Sequence, residues 1–196
     1  MKVAVLTNNE VSRPLIDWLR ETGEDVEVIS EKIDLHMLER IQPDLIVSYS
    51  YRYIIGEDVI SAMNGGIINL HISYLPWNKG ADPNIWSFLE NTPKGVTIHK
   101  IDEGLDTGEI LVQEELVFNE AEETLASSYE KLHEAMLDMF RANWKYLREK
   151  RIIPARQKKG GSCHKSADLD KYRHIIAEHG YTIPVKEFKR LCAEIK

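Results

Sequence analysis

Short apolar runs alternate with longer segments of mixed polarity along the first part of the chain. Four such runs, rich in β-branched residues and flanked by turn residues, predict buried strands at residues 3–7, 26–30, 44–50 and 66–71. The segments between them carry apolar side chains at spacings of three and four residues, which predicts helices. This alternation is typical of βαβ units. We therefore expect an α/β fold with a Rossmann-like, mostly parallel twisted sheet flanked by helices.

The later part of the chain follows a different pattern. Two further strands are predicted at residues 95–102 and 108–117, and their pairing should be antiparallel because only five residues separate them. Residues 122–150 have the periodicity of one long amphipathic helix. From Arg151 the chain is more polar. We expect a main domain of residues 1–150, with a C-terminal loop and helical tail, residues 151–196, packed on it.

Composition and charge exclude several classes of protein. The 196 residues include 43% hydrophobic side chains and carry a net charge of −7, which argues against nucleic acid as the main partner. No stretch approaches the roughly 20 apolar residues of a membrane-spanning helix, and the N-terminus does not look like a signal peptide, so we expect a cytoplasmic protein. Cys163 and Cys192 lie far apart without a CxxC pair, so we predict neither a disulfide framework nor a metal site.

The first strand-to-helix turn bears on the ligand of this α/β fold. A dinucleotide-binding sheet would carry a glycine-rich fingerprint there, but residues 7–14 read TNNEVSRP and contain no glycine. No P-loop occurs either. Neither NAD nor ATP is therefore indicated by a motif.

Polar side chains follow two of the predicted strands. Asn69 and His71 stand two positions apart at the end of a buried strand, so they share one face, and such strand ends border the ligand crevice in parallel sheets. Asp106 follows the next strand, between glycines that allow a sharp turn. An Asp near His71 would orient the ring and favour the imidazolium. The alternative is a capping Asn and a satisfied core His.

The segments INLHISYLPWNKGADP and GVTIHKIDEGLDTGEIL resemble the catalytic core of the 10-formyltetrahydrofolate-dependent formyltransferases. The match is close over residues 67–111. The resemblance implies a formyltransferase core in which Asn69, His71 and Asp106 are catalytic. Asn69 and His71 would stabilise a tetrahedral intermediate, and Asp106 would orient His71 and accept a proton. His99 belongs to the motif by position, but we interpret it as structural because it lies inside a strand.

The segment SYSYRYII, residues 48–55, resembles the part of the same family that surrounds the pterin ring of folate. The resemblance implies 10-formyltetrahydrofolate as the formyl donor. The residues that would border it are Tyr51, Arg52, Tyr53, Ile54, Glu103, Gly104 and Leu105.

Within the family, the chain is most similar to N-formyltransferases of nucleotide-linked (UDP- or dTDP-) amino sugars, through residues 78–99 and a Gly-Gly-x-x-His segment in the tail. We expect no basic C-terminal barrel, which the methionyl-tRNA enzymes carry. The resemblance implies a small-molecule substrate, neither nucleic acid nor membrane as a partner, and a homodimer. The residues expected on the acceptor side are Trp77, Asn78, Lys79 and Asn84. The alternatives are a phosphoribosylglycinamide formyltransferase of purine synthesis and a folate-binding paralogue without catalysis.

Overall fold

The computed structural model describes residues 1–195, and a six-stranded sheet is its central element. The strands of this sheet are β1 (Lys2–Leu6), β2 (Asp25–Ile29), β3 (Leu45–Tyr49), β4 (Ile67–His71), β6 (Lys94–Lys100) and β7 (Ile110–Leu116). Their order in the sheet is β2-β1-β3-β4-β6-β7. A separate two-stranded sheet pairs β5 (Lys79–Gly80) with β8 (Cys163–His164).

Within residues 1–195, seven α-helices connect or follow these strands. They are α1 (Arg13–Glu21), α2 (Leu35–Ile41), α3 (Glu57–Met63), α4 (Pro83–Leu89), α5 (Leu125–Arg148), α6 (Arg173–His179) and α7 (Val185–Glu194). Short 3₁₀ turns span Glu10–Ser12 and Ser166–Tyr172. The predicted mostly parallel α/β fold with one long helix is thus confirmed.

The parallel part of the sheet is the buried part. Strand β1 pairs in parallel with β2 and β3, and β3 pairs in parallel with β4. All five residues of β3 are buried, as the near-continuous apolar run predicted, because helices cover both faces of such sheets. The last two strands of the chain's large sheet run antiparallel: Lys100 N–H donates to Glu109 O, and Gly95 lies against Glu114.

The chain forms two compact units, which are described separately. The first unit comprises residues 1–71, 98–112 and 137–157, and the second comprises residues 72–97, 113–136 and 158–196. The core of the first unit is aliphatic, with Leu6, Ile46 and Ile67 almost completely buried between the sheet and the neighbouring helices. The expected boundary at residue 150 stays a prediction.

The second unit has a core of its own, to which the C-terminal tail contributes. Phe88 of α4 and Leu125 at the start of α5 pack with Ile175 of α6 and Phe188 of α7. All four side chains are buried. The segment after residue 157 is therefore an integral part of this unit, because apolar side chains of α6 and α7 pack into its core.

Membrane-spanning helices, metal-ligand clusters and disulfides were all considered at the sequence level, and the described residues bear on each. Across residues 1–195, none of the helices combines the length and apolarity needed to cross a bilayer. Within the same residues, no group of three or more His, Cys, Asp and Glu side chains is arranged to hold a metal ion. Cys163 is exposed and Cys192 is buried, and both are free thiols.

Candidate active site

The polar end of β4 lies at the carboxyl edge of the parallel sheet. Strand β4 adds to β3 with Asn69 opposite Ser48, and it ends at His71. His99 stands near the end of β6 and is only 1% exposed. Strand β6 lies beside β4 and brings His99 Nε2 to 3.2 Å from Asn69 Nδ2, so these polar groups are neighbours.

The loop that follows β6 carries Asp106 in an unusual backbone conformation. Asp106 has a φ of 51°, in the left-handed region that most side chains avoid. The loop is braced from within, because Asp102 Oδ1 accepts from Gly104 N–H at 3.2 Å and from Thr107 Oγ1 at 2.6 Å. At Gly108 a Cβ atom would lie 1.8 Å from Lys100 O, so no larger residue fits there.

The Asp106 carboxylate is the centre of a cluster in the first unit. Its Oδ1 accepts from Asn69 Nδ2 at 3.1 Å and lies 3.4 Å from His99 Nε2. Its Oδ2 lies 3.6 Å from His71 Nε2. The side chains of Asp106 and both histidines are at most 11% exposed. The structure thus brings the three predicted catalytic residues together and adds His99 to them.

The hydrogen-bond pattern fixes the orientation of Asn69 and the tautomer of His99. His99 Nδ1 lies 2.8 Å from Lys100 O, which can only accept, so Nδ1 carries a hydrogen. The Asn69 amide must turn its NH₂ toward the Asp106 carboxylate, and the same NH₂ lies 3.2 Å from His99 Nε2. Nε2 of a neutral His99 then accepts the second amide hydrogen. His99 therefore holds Asn69 in place, a role that its position inside a strand did not suggest.

A cleft of about 340 Å³ opens beside this cluster in the same unit. Asn69, His99 and Asp106 line it together with all seven residues expected to border folate. Ile54 and Leu105 on its lining are 80% and 50% exposed, so two large aliphatic side chains are accessible on the wall of the cleft. The lining therefore offers apolar surface for a flat ligand next to the polar cluster.

The loop 50–55 is held on the protein by its own polar groups. The Tyr51 hydroxyl donates to Glu31 O at 2.6 Å and accepts from Ile33 N–H at 2.9 Å. Burial raises the pKa of Tyr51, so the phenol stays a neutral donor. The Arg52 guanidinium lies 4.8 Å from the centre of the Tyr53 ring and donates to its hydroxyl. Tyr51 thus anchors the loop, and Arg52 and Tyr53 form a pair on it.

The four residues expected on the acceptor side all lie in the second unit, and Asn84 alone among them lines the 430 Å³ cavity of that unit. Asn78 is completely buried, and its side chain bonds to Thr92 and Ser162. Lys79 lies in β5 and pairs with Cys163 of β8. Trp77 is half-buried in the same loop. Any acceptor contact by Asn78 would require these bonds to be replaced, so its expected role stays a prediction.

Asn84 lines a cavity of about 430 Å³ in the second unit. Its Nδ2 donates to Leu125 O, whereas its buried Oδ1 has no hydrogen-bond partner among the described residues. Asp82, Tyr129 and Tyr181 line the cavity as well, and burial raises the pKa of Asp82. No lysine, arginine or histidine of residues 1–195 lines it, so its polar groups suit a ligand with hydroxyl or N–H donors.

Comparison with known proteins agrees with this geometry. The formyl transferase family model matches residues 30–141. The crystal structure of the formyltransferase PseJ from Anoxybacillus kamchatkensis, in complex with UDP-4,6-dideoxy-4-formamido-L-AltNAc and tetrahydrofolate, is 44% identical. It aligns over 96% of this chain and 97% of that chain with a TM-score of 0.88. A 4-N formyltransferase from Francisella tularensis shares the fold at 22% identity, covering 87% of this chain and 78% of that chain with a TM-score of 0.75.

Curated relatives give the same family over shorter stretches. A methionyl-tRNA formyltransferase from Syntrophus aciditrophicus is 46% identical over 88 residues, 44% of this chain and 28% of the relative. Another from Anaeromyxobacter sp. is 36% identical over 147 residues, 71% of this chain and 46% of the relative. The chain thus spans less than half the length of these two relatives. Since the family model covers more than half of the chain, the protein belongs to the formyl transferase family.

Proposed function

We propose that this protein transfers a formyl group from 10-formyltetrahydrofolate to the primary amine of a nucleotide-linked amino sugar. The observation that carries the proposal is the convergence of Asn69, His71 and Asp106 beside a cleft lined by every residue expected to border folate. The acceptor class is supported by the 44% identity to a protein crystallised with a UDP-linked formamido sugar and tetrahydrofolate.

The cluster provides the groups that acyl transfer requires. The acceptor nitrogen attacks the formyl carbon, the carbon–nitrogen bond to the folate breaks, and the proton lost by the amine replaces the formyl group on the folate nitrogen. Negative charge develops on the formyl oxygen, and hydrogen-bond donors preorganised in a buried site stabilise it. Asn69 Nδ2 and a protonated His71 are such donors. Asp106 holds His71 and serves as the first acceptor of the proton.

Asn69 must change partners to fill this role. Both hydrogens of its NH₂ are directed at protein atoms, Asp106 Oδ1 and His99 Nε2. Donation to the developing oxyanion requires that one of these bonds be exchanged. An imidazole nitrogen is a weaker acceptor than a carboxylate, so we infer that the bond to His99 is released while the charge-assisted bond to Asp106 persists.

The first unit fits a folate on two counts. Ile54 and Leu105 present exposed apolar surface on the lining of the cleft, which a flat heteroaromatic ring would cover. The backbone of the Asp102–Asp106 loop supplies polar groups beside that surface. When bound, the donor supplies a formyl carbon activated for attack by an amine. The cavity beside Asn84 is our candidate for the sugar or base of the acceptor, because a phosphate would need cations on its lining.

One assay tests the acceptor class. The protein is incubated with 10-formyltetrahydrofolate and a panel of UDP- and dTDP-linked amino sugars, with glycinamide ribonucleotide and methionyl-tRNA as competing candidates. We expect a mass gain of one CO unit on an amino sugar only. Formylation of the ribonucleotide or the tRNA instead would refute the sugar assignment, and formylation of none would refute the proposed activity for this panel.

Two variants test the catalytic roles. His71→Asn and Asp106→Asn should each lower kcat on the order of 100-fold or more, because each removes a charge present at the transition state. His36→Asn, at an exposed position of α2, is the control and should retain wild-type activity. Melting curves verify that the variants fold. Wild-type turnover by folded His71→Asn would show that our role assignment is wrong.

Donor binding and assembly can be measured without turnover. Folate bound to the native state alone should raise the melting temperature, by mass action worth about 3 kcal/mol at a hundredfold excess over Kd. An unchanged melting temperature at high folate would contradict the cleft assignment.

The expected homodimer predicts twice the chain mass in light scattering, and a monomer would refute it.

A further inference from the structure

Gln157 contacts the backbone of the Asp106 loop through both hydrogens of its side-chain amide. Nε2 donates to Asp106 O at 2.7 Å and to Gly108 O at 2.9 Å. The approach follows from backbone pairing, because Ala155 and Ile110 exchange two hydrogen bonds of 2.8 Å in an antiparallel bridge. Gln157, two residues after Ala155, therefore stands beside Gly108, two residues before Ile110.

The chemistry of this contact admits only one orientation. Both partners are carbonyl oxygens, which accept and never donate, so only the NH₂ end of the amide can face them. Gln157 Oε1 then points away and has no hydrogen-bond partner among residues 1–195, although it is buried. Leaving a buried acceptor unpaired is unfavourable. The bonds from Gln157 Nε2 to the loop are therefore made at the expense of an unpaired Oε1, which lowers stability.

The loop needs such a contact because of its conformation. Asp106 has positive φ, and no residue larger than glycine fits at position 108. The direction of the Asp106 side chain is set by that backbone, and its carboxylate must reach Asn69, His71 and His99 at once. Gln157 holds the carbonyl of Asp106 itself and the one two residues later, so it restrains both sides of the turn.

We propose that Gln157 is a positioning residue for catalysis: its amide holds the Asp106 backbone so that the carboxylate stays in line with Asn69 and His71. The inference rests on the proposed formyl transfer, since it concerns the geometry of the same cluster. Gln157 itself does not touch the reacting atoms in this scheme.

Two substitutions remove the contact in different ways. Gln157→Met keeps the length and loses both donors, whereas Gln157→Glu directs carboxylate oxygens at two carbonyl oxygens. We expect kcat to fall on the order of 10- to 100-fold in both, since small misplacements of catalytic groups have effects of this size. KM for the donor should change little, because none of the folate-lining side chains is altered.

A double-mutant cycle separates positioning from a general structural effect. In the Asp106→Asn background, Gln157→Met should lower kcat by less than twofold, because the carboxylate it positions is already absent. The matched control is Gln113→Met, since Gln113 Nε2 also spans two acceptors, Leu75 O at 2.8 Å and Thr97 Oγ1 at 2.9 Å. Any effect of the control on kcat should persist in full beside Asp106→Asn. A full effect of Gln157→Met in that background would overturn the proposal.

A second measurement does not depend on turnover. The titration of the Asp106 carboxyl is followed by carbon NMR in wild type and both methionine variants. In Gln157→Met its midpoint should move to higher pH, because a displaced carboxylate loses the donors that stabilise its charge. It should not move in Gln113→Met. An unmoved midpoint in Gln157→Met would refute positioning, whereas a shift in a protein that formylates nothing would refute only the proposed function.

Discussion

His133 makes the stability of the second unit sensitive to acid. The ring lies on α5, is 5% exposed, and packs edge-on against Tyr129 with ring centres 4.2 Å apart. Burial lowers the pKa of His133 from 6.5 to about 4, because the imidazolium would lose its hydration. The folded state therefore binds this proton more weakly than the unfolded chain does.

The sign and size of the effect follow from linkage. Above pH 6.5 the imidazole is neutral in both states and contributes nothing. As the pH falls toward 4, the unfolded chain takes up the proton and the folded state does not, so the free energy of unfolding decreases. At about 1.4 kcal/mol per pH unit, the full loss is about 3 kcal/mol, a large share of the typical stability of a domain.

His133→Gln removes the titration while keeping a polar side chain. Urea denaturation at several pH values between 4 and 8 gives the free energy of unfolding of wild type and variant. The variant should be less stable at pH 7, but its stability relative to wild type should rise by about 3 kcal/mol toward pH 4. His36→Gln, at an exposed position, should follow the wild-type curve. Parallel curves for wild type and His133→Gln would refute the reasoning.

Three further predictions concern other parts of the chain. Gly161→Ala should lower the melting temperature by several degrees, because Gly161 has a φ of 93° and a Cβ would lie 2.0 Å from Pro76 O; an unchanged value would contradict this clash. Glu24→Gln should cost about 2 kcal/mol at pH 7, and less below pH 4.5. Burial would raise the pKa of Glu24, but bonds from the terminal amine and Trp144 and the charge of Arg148 lower it. The stabilisation by the Glu24 carboxylate therefore disappears as acid protonates it. A difference between wild type and Glu24→Gln in urea denaturation that does not depend on pH would argue against this. Chelators should leave both activity and melting temperature unchanged, and a loss that added metal restores would reveal a metal requirement.

The regular elements were predictable because their signals are local. The apolar runs located the first four strands to within one residue at each end, and the periodicity of residues 122–150 located α5 within three. The strand pair β5–β8 was not predictable. Its strands have two residues each and stand 84 positions apart in the chain, so neither carries a periodic pattern.

The candidate site divides in the same way. Asn69, His71 and Asp106 stand in a dense motif, and the structure places the Asp106 carboxylate 3.1 Å from Asn69 Nδ2 and 3.6 Å from His71 Nε2. Gln157 gave no signal, because one amide in the polar run RQKKGG has many ordinary explanations. Asn78 shows the opposite difficulty: a polar residue in a loop suggests exposure, but tertiary contacts with Thr92 and Ser162 bury it.

The left-handed backbone of Asp106 has a consequence for engineering and for evolution. At this φ glycine is the residue that the backbone prefers, so Asp106→Gly should relieve backbone strain, but it also removes the carboxylate to which Asn69 donates. The position therefore keeps a strained conformation together with the side chain that the polar cluster needs. Variant libraries of this protein that are screened for thermal stability should also be screened for turnover, because changes at this position act on both.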